Sequence, residues 1–306
     1  MPLNVRVELS RAVELHRTGR LDEAIALYRR LAKARPGTFA IQRLLVLALL
    51  QAGRVKDALS VARRARDEHP ADAHAQLVMG MALRASGEGE KALAAFNMAA
   101  TLDPNLLEAD YLAANALGAL GRLDEAISRY DRVISRDPRS AEARSGRAAA
   151  LMMRGRVAEA LGDLDSLTAM QPWEATHFIS KADALARLDR YDAAAEAAAE
   201  AVRLAPESSQ AHRRHAQALL GLGRLADARA ALQEAARLAP DDAALSEHLL
   251  SLLRLTGDFP AMLRESERAL SVHPGSALFL TQRAEARRAL QDPEGALADA
   301  RAALDA

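Results

Sequence analysis

A ladder of prolines constrains this chain more than any other feature of its sequence. Eight prolines stand 34 residues apart, at Pro36, Pro70, Pro104, Pro138, Pro172, Pro206, Pro240 and Pro274. Nine such intervals account for all 306 residues without an insertion. Proline ends α-helices because it lacks an amide hydrogen and its ring clashes with the preceding turn, and a fixed period of this length indicates a repeat architecture. We therefore predict an array of short helical units.

A second ladder, mostly of glycines, falls midway between the prolines, each glycine 17 residues before the next proline. Its members are Gly19, Gly53, Gly87, Gly121, Gly155, Gly223 and Gly257, with Asp189 and Gln291 in the two remaining places. Glycine readily adopts the left-handed conformation in which many helices end. Each unit is therefore predicted to be a pair of helices of about 13 residues joined at this turn.

Two further series keep the same period and predict which residues are buried. A leucine lies four residues before each turn, as Leu15, Leu49, Leu83, Leu117, Leu151, Leu185, Leu219 and Leu253, with Arg287 as the exception. An alanine follows each turn, as Ala24, Ala58, Ala92, Ala126, Ala160, Ala194, Ala228 and Ala296, with Met262 as the exception. We expect the leucines to mark the apolar face of the first helix. The alanines are expected where two helix backbones approach closely.

These features resemble the tetratricopeptide repeat family, whose 34-residue helix-turn-helix unit has an alanine in its second helix and a proline at its end. The resemblance implies an all-α fold, a right-handed α-solenoid superhelix, in one domain over residues 1–306. Counted from the prolines, the repeats are 5–38, 39–72, 73–106, 107–140, 141–174, 175–208, 209–242, 243–276 and a shortened 277–306. The tryptophan that the family has at the fourth residue of its unit is absent from every repeat, so this position is interpreted as variable.

Composition excludes several classes of function. Lysine and arginine total 41, as do aspartate and glutamate, so no general attraction to nucleic acid or an anionic membrane is expected. There is no cysteine for disulfides or thiolate metal sites. The longest aliphatic run, residues 44–50, is too short to span a membrane. We expect a cytoplasmic protein, and the scarcity of lysine (Lys33, Lys56, Lys91 and Lys181) is typical of a GC-rich, bacterial genome.

Three motifs could suggest chemistry, and each has a simpler interpretation. The glycine-rich strings at 87–92 and 221–226 lie at predicted helix–helix turns, whereas a dinucleotide fingerprint must follow a strand. His212 and His215 share a helix face but lack an accompanying metal-binding motif, so structural packing is favoured over a metal site. No Gly-x-Ser-x-Gly elbow occurs. We therefore predict a protein that is not an enzyme and has no metal or cofactor.

The resemblance implies that the first helices line a concave groove, with the second, fifth, ninth, twelfth and thirteenth residues of each repeat facing it. The candidate binding residues at these places are Arg43, Leu47, His74, Leu77, Met81, Arg84, Tyr111 and Asn115. Arginine can grip a carboxylate with two hydrogen bonds. Residues 1–106 also carry 16 basic and 11 acidic side chains. The groove is therefore predicted to bind an acidic peptide or protein segment with hydrophobic anchors.

The predicted function is accordingly that of a scaffold or adaptor for protein–protein interaction. An alternative is the recognition module of a glycosyltransferase or sulfotransferase whose catalytic domain is not in this chain, since bacterial arrays with units like residues 19–24 are similar to those that precede such domains. A third hypothesis is self-association through the carboxy-terminal edge, where Leu297, Ala300 and Leu304 are candidates for exposure.

Overall fold

A computed structural model describes residues 5–306, which form eighteen α-helices and no strand, as the all-α prediction required. The first nine helices are α1 (Val5–Arg17), α2 (Leu21–Ala34), α3 (Phe39–Gln51), α4 (Val55–Glu68), α5 (Ala73–Ala85), α6 (Gly89–Leu102), α7 (Leu107–Ala119), α8 (Leu123–Arg136) and α9 (Ala141–Met153). The other nine are α10 (Val157–Met170), α11 (Ala175–Arg187), α12 (Tyr191–Leu204), α13 (Ser209–Gly221), α14 (Leu225–Leu238), α15 (Ala243–Leu255), α16 (Phe259–Val272), α17 (Ala277–Ala289) and α18 (Pro293–Leu304).

The helices fall into two compact units that meet in sequence between Gly155 and Arg156. The boundary lies in the turn between α9 and α10, so the first unit ends with the first helix of the fifth repeat. Within each unit, consecutive helices pack as antiparallel neighbours, and the first helices of adjacent repeats also touch, as α3 with α5 and α11 with α13. That residues 1–306 make one domain stays a prediction, and its residues 1–4 lie outside the described part.

The turn between the helices of a repeat has the geometry that the glycine ladder predicted. At the end of α1, Gly19 adopts a φ of 77°. The amide of Arg20 donates to the carbonyl of Leu15 at 2.9 Å, and that of Gly19 to His16 at 3.2 Å. This pair of bonds satisfies the last carbonyls of the helix. Asp189 and Gln291 take the same left-handed conformation, with φ of 56° and 65°. They therefore replace glycine at the cost of backbone strain.

The turn between repeats follows from the prolines and from polar caps. Each second helix from α2 to α16 ends two residues before its proline, as α4 does at Glu68 before Pro70. Several of the next helices begin at a side chain that caps them. Asp72, for example, accepts hydrogen bonds from the amides of His74 at 2.8 Å and Ala75 at 3.2 Å. Such a cap satisfies amide groups that have no partner within the helix.

The two apolar series form the core, as predicted. The leucines of the first helices are buried, with exposed fractions between 0% for Leu49 and 8% for Leu15. The alanines from Ala24 to Ala228 are fully buried, and so is Met262, which replaces alanine in the eighth repeat. Ala296, in the last repeat, is only half-buried. The helices approach closely in several repeats: a Cβ on Gly80 of α5 would lie 2.5 Å from the ring of Phe96 on α6, and one on Gly221 of α13 would lie 2.2 Å from the ring of Tyr191 on α12. Small residues are therefore needed between the helices.

Candidate functional site

The predicted binding face lies on the first helices α3, α5 and α7 of the first unit. On α3, Arg43 is exposed, and Leu47, one turn later on the same side of the helix, is half-buried. Arg43 forms no hydrogen bond or ion pair with any residue from 5 to 306. Its guanidinium is therefore available to a ligand.

Helix α5, which packs beside α3, carries four of the predicted residues. Arg84 is exposed and, like Arg43, has no bonded partner in the described chain. Met81 and His74 are half-buried, and the His74 Nδ1 lies 3.8 Å from a carboxylate oxygen of Asp72. Leu77 is only 3% exposed, so it supports the face from below and offers little area to a ligand.

Helix α7 provides the polar and aromatic part of the face. Tyr111 and Asn115 are both half-buried and lie one turn apart. The hydroxyl of buried Tyr130, on α8, donates to Asn115 Oδ1 at 2.5 Å, and the rings of Tyr111 and Tyr130 lie 6.3 Å apart. Burial raises the pKa of Tyr130 to about 12, so this donor keeps its proton at neutral pH. The bond orients Asn115 and leaves its amide hydrogens as donors.

A second feature of the first unit was not predicted: a cleft of about 420 Å³ in the third repeat, between α4 and α6 and over α5. We call it the third-repeat cleft. Its lining residues are Arg63, Arg66, Gln76, Met79, Leu83, Glu88, Lys91, Ala94, Ala95 and Met98. Met79 and Leu83 are 4% and 5% exposed and form its floor, whereas Met98 is 48% exposed.

Similar clefts recur at the same place in the sixth and seventh repeats, within the second unit. The sixth-repeat cleft, of about 310 Å³, is lined by Leu161, Asp165, Phe178, Lys181, Leu185, Arg190, Ala193, Glu196, Ala197 and Glu200. The seventh-repeat cleft, of about 370 Å³, is lined by Val202, His212, His215, Leu219, Arg224, Asp227, Ala230, Ala231 and Glu234. In all three, the fourth residue of the repeat (Gln76, Phe178 or His212) belongs to the lining.

In the fourth repeat, side chains at the same places form ion pairs with one another. In the fourth repeat, Asp110 is 2% exposed and its carboxylate lies 2.7 Å from Arg129 and 3.2 Å from Arg132. A second nitrogen of Arg129 donates to Asn97 at 2.8 Å. The missing tryptophan was the sequence signal for this region. The absence of tryptophan does not by itself reveal the clefts, because the residue that replaces tryptophan, together with its partners, decides whether the space is filled.

The histidine pair that raised a metal hypothesis lies in the seventh-repeat cleft. His212 Nε2 is 2.9 Å from the carbonyl oxygen of Pro206. Burial lowers the pKa of His215, and the neighbouring His212 and Arg224 lower it further. Within residues 5–306, no group of three or more His, Asp or Glu side chains is arranged to hold a metal ion. None of the described helices has the length and apolar character needed to cross a bilayer.

A comparison of the sequence with known protein families agrees with the arrangement of the helices in pairs. A model described as tetratricopeptide repeat matches residues 2–39, 43–106, 111–172 and 179–243, which is well over half of the sequence. This chain belongs to the tetratricopeptide repeat family. The match confirms the resemblance and, with the eighteen helices, the α-solenoid fold class. A comparison with curated proteins gives no match.

Solved tetratricopeptide structures share the fold at low sequence identity. The carboxy-terminal part of a repeat protein from Cytophaga hutchinsonii is 15% identical, with a TM-score of 0.62, over 79% of this chain and 99% of that one. A repeat protein from Parabacteroides merdae is 18% identical, with a TM-score of 0.57, over 81% and 98%. YrrB, described as having an unusual peptide-binding site, is 20% identical, with a TM-score of 0.54, over 61% and 96%.

Proposed function

We propose that this tetratricopeptide protein is a non-enzymatic scaffold that binds an acidic protein segment on the face formed by α3, α5 and α7. The observation that carries the proposal is the state of Arg43 and Arg84. Many other arginines of the chain are paired with a carboxylate, as Arg20 is with Glu23 at 2.7 Å. Arg43 and Arg84 are exposed and have no such partner among the described residues.

The proposed mode of binding uses three kinds of contact. The two arginines hold carboxylates of the segment through charge-assisted hydrogen bonds, which are stronger than neutral ones. Half-buried Leu47 and Met81 receive its apolar side chains, and the flexible thioether of methionine adapts to irregular shapes. The amide of Asn115, held by Tyr130, donates to a backbone carbonyl of the segment. A peptide-binding site in YrrB offers a precedent on a similar fold.

The test is affinity capture from lysate of the source cells, with bound proteins identified by mass spectrometry. Wild type is compared with an Arg43→Glu, Arg84→Glu variant, and with an Arg264→Glu, Arg288→Glu variant that makes the same charge change at exposed arginines in the second unit. We expect proteins with acidic segments to be captured by wild type and by the control, and lost from the first variant. Capture that survives in both variants would contradict the proposed face.

Self-association is a second candidate, favoured by the apolar surface of α18. Leu297 and Leu304 are 53% and 87% exposed. At the same places of the third repeat, Leu93 and Ala100 are 4% and 8% exposed because the next repeat covers them. Sedimentation of wild type and a Leu297→Glu, Leu304→Glu variant over a range of concentrations tests this. An apparent mass that rises for wild type alone supports it, and equal, constant masses would reject it.

The recognition module of a glycosyltransferase or sulfotransferase stays an alternative hypothesis for the same fold. Assigning function from a scaffold alone is weak, because one fold hosts many functions and the site residues decide. The bacterial origin and cytoplasmic location expected from the sequence also remain predictions.

A further inference from the structure

We propose that the third-repeat cleft is a second docking site, for an acidic protein segment that inserts one large apolar side chain. The site lies between the second helices α4 and α6 and over α5. It is separate from the face of Arg43 and Arg84, and the inference does not depend on that face binding anything.

Charge distinguishes this cleft from the two similar clefts. Its lining includes three cations, Arg63, Arg66 and Lys91, against one carboxylate, Glu88. The sixth-repeat cleft has two cations against three carboxylates, and Lys181 is already paired with Asp165 at 2.7 Å. The seventh-repeat cleft has one arginine against two carboxylates. Only the third-repeat cleft therefore complements an acidic segment among these three.

The cations of the cleft can exchange their present contacts for those of a ligand. Arg63 forms no hydrogen bond or ion pair with any described residue. Lys91 is 2.6 Å from Glu88, and its side chain is 73% exposed. Arg66 is 2.7 Å from its neighbour Asp67, and its side chain is 39% exposed. Exposed pairs of this kind contribute about 0–1 kcal/mol. Carboxylates of a docking segment can replace them at little cost.

The apolar part of the cleft suits a single anchoring side chain. Met79 and Leu83 form the floor, Ala94 and Ala95 leave space above it, and Met98 stands at the rim with about half its surface exposed. A volume of about 420 Å³ is near the lower end of the range for ligand sites, about 300–1,000 Å³. Two methionines allow the walls to adapt to a large aromatic or aliphatic side chain.

Binding at each of the two proposed sites can be detected through a different methionine of α5. Met79 lines the cleft and Met81 belongs to the face. Two residues along an α-helix are about 200° apart around its axis, so these side chains point to opposite sides. The methyl signals of Met79, Met81 and Met98 in a spectrum of protein labelled with [methyl-13C]methionine therefore tell which site a ligand occupies.

The experiment titrates the full, labelled chain with a short synthetic peptide in which aspartates and glutamates flank one tryptophan. Two comparison peptides replace the tryptophan by alanine or the acidic residues by lysines. We expect the first peptide to shift the Met79 and Met98 signals, and both comparison peptides to shift them much less. An Arg63→Glu, Lys91→Glu variant should bind about tenfold more weakly or worse at this site, whereas the Arg43→Glu, Arg84→Glu variant should keep the Met79 and Met98 shifts.

The outcomes separate the two proposals. Shifts confined to Met81 would support the face and overturn the docking site in the cleft. Equal shifts of Met79 and Met98 with the lysine peptide, or shifts that survive in the Arg63→Glu, Lys91→Glu variant, would also overturn it. If the Met79 and Met98 signals of the wild type do not shift at a saturating concentration of peptide, the docking site in the cleft is also overturned. The same holds if the wild type shows no binding of the peptide at all.

Discussion

The third and fourth repeats have the same backbone arrangement. They differ in the side chains that occupy the space between the second helix of the repeat and the second helix of the repeat before it. In the fourth repeat, Asp110 pairs with Arg129, which also reaches Asn97. In the third repeat, the places of Asp110 and Arg129 are taken by Gln76 and Ala95, and the cleft stays open. A few side chains at fixed places of the repeat therefore decide whether the solenoid exposes a cleft or closes it with a buried ion pair.

The largest expected effect comes from breaking the ion pair of the fourth repeat. An Asp110→Ala change leaves Arg129, only 25% exposed, without its carboxylate. We expect a loss of about 3 kcal/mol in the free energy of unfolding, since removing one partner of a buried pair strands the other charge. The measurement is urea unfolding followed by circular dichroism. Gln76→Ala, at the same place in the third repeat, is the control and should cost less than about 1 kcal/mol.

The hydroxyl of Tyr130 gives the fourth repeat a dependence of stability on pH that the third repeat lacks, because the third repeat has Phe96 at the equivalent position. The folded-state pKa of Tyr130 is about 12, against an unfolded value of about 10. The contribution of this hydroxyl to the free energy of unfolding is complete below pH 10. It is lost as the pH rises toward 12, which lowers the free energy of unfolding by about 2 kcal/mol. Stability measured from pH 9 to 12 should fall more steeply for wild type than for Tyr130→Phe. Parallel pH curves would show that burial of the hydroxyl is unimportant.

Close packing in the third repeat predicts a smaller effect. A Cβ on Gly80 would lie 2.5 Å from the ring of Phe96, so Gly80→Ala should destabilise the chain by about 1–2 kcal/mol. In the fourth repeat, a Cβ on Gly118 would meet no atom within 4 Å. Gly118→Ala should therefore be slightly stabilising, since alanine is the better helix former. Thermal midpoints of the two variants should move in opposite directions. A shared direction would contradict the packing seen between α5 and α6.

Filling the open cleft should change stability less than Gly80→Ala does. Gln76→Trp places a large ring over Met79 and Leu83, and the buried apolar area is expected to add about 1 kcal/mol. The same ring occupies the space proposed for the ligand, so the acidic peptide should no longer shift the Met98 signal. The matched change Phe178→Trp, in the sixth repeat, should leave peptide binding intact. Unchanged binding to Gln76→Trp would mean that the cleft is not where the peptide docks.

The parts of the fold that depend on the 34-residue period could be predicted from the sequence. The turns, the buried leucines and the alanine contacts all follow from spacing, and the left-handed Asp189 and Gln291 follow from their place in the glycine ladder. The clefts could not be predicted in this way. They depend on which side chains pair across helices, such as Asp110 with Arg129, and the period gives no information on pairing.

The surroundings of the candidate face could not be predicted for a similar reason, and the face itself stays a proposal. The family pattern places Leu77 on the same face as Arg43, but this side chain is only 3% exposed. Nor does the sequence show that Asn115 is held by Tyr130, since the bond joins residues of two helices. The sequence also does not show that Arg43 and Arg84 are exposed and lack ion-pair partners among the described residues. Both facts could be found only from the positions of the side chains.

The central claim is that the arginine face of α3 and α5 selects acidic segments with an apolar anchor. The most direct measurement is selection of a displayed library of random peptides on immobilised wild type, repeated on the Arg43→Glu, Arg84→Glu variant. The account predicts that peptides enriched on wild type combine aspartate or glutamate with a large apolar residue, and that most of them are lost on the variant. Enrichment of peptides without acidic residues, or the same peptides on both proteins, would contradict it.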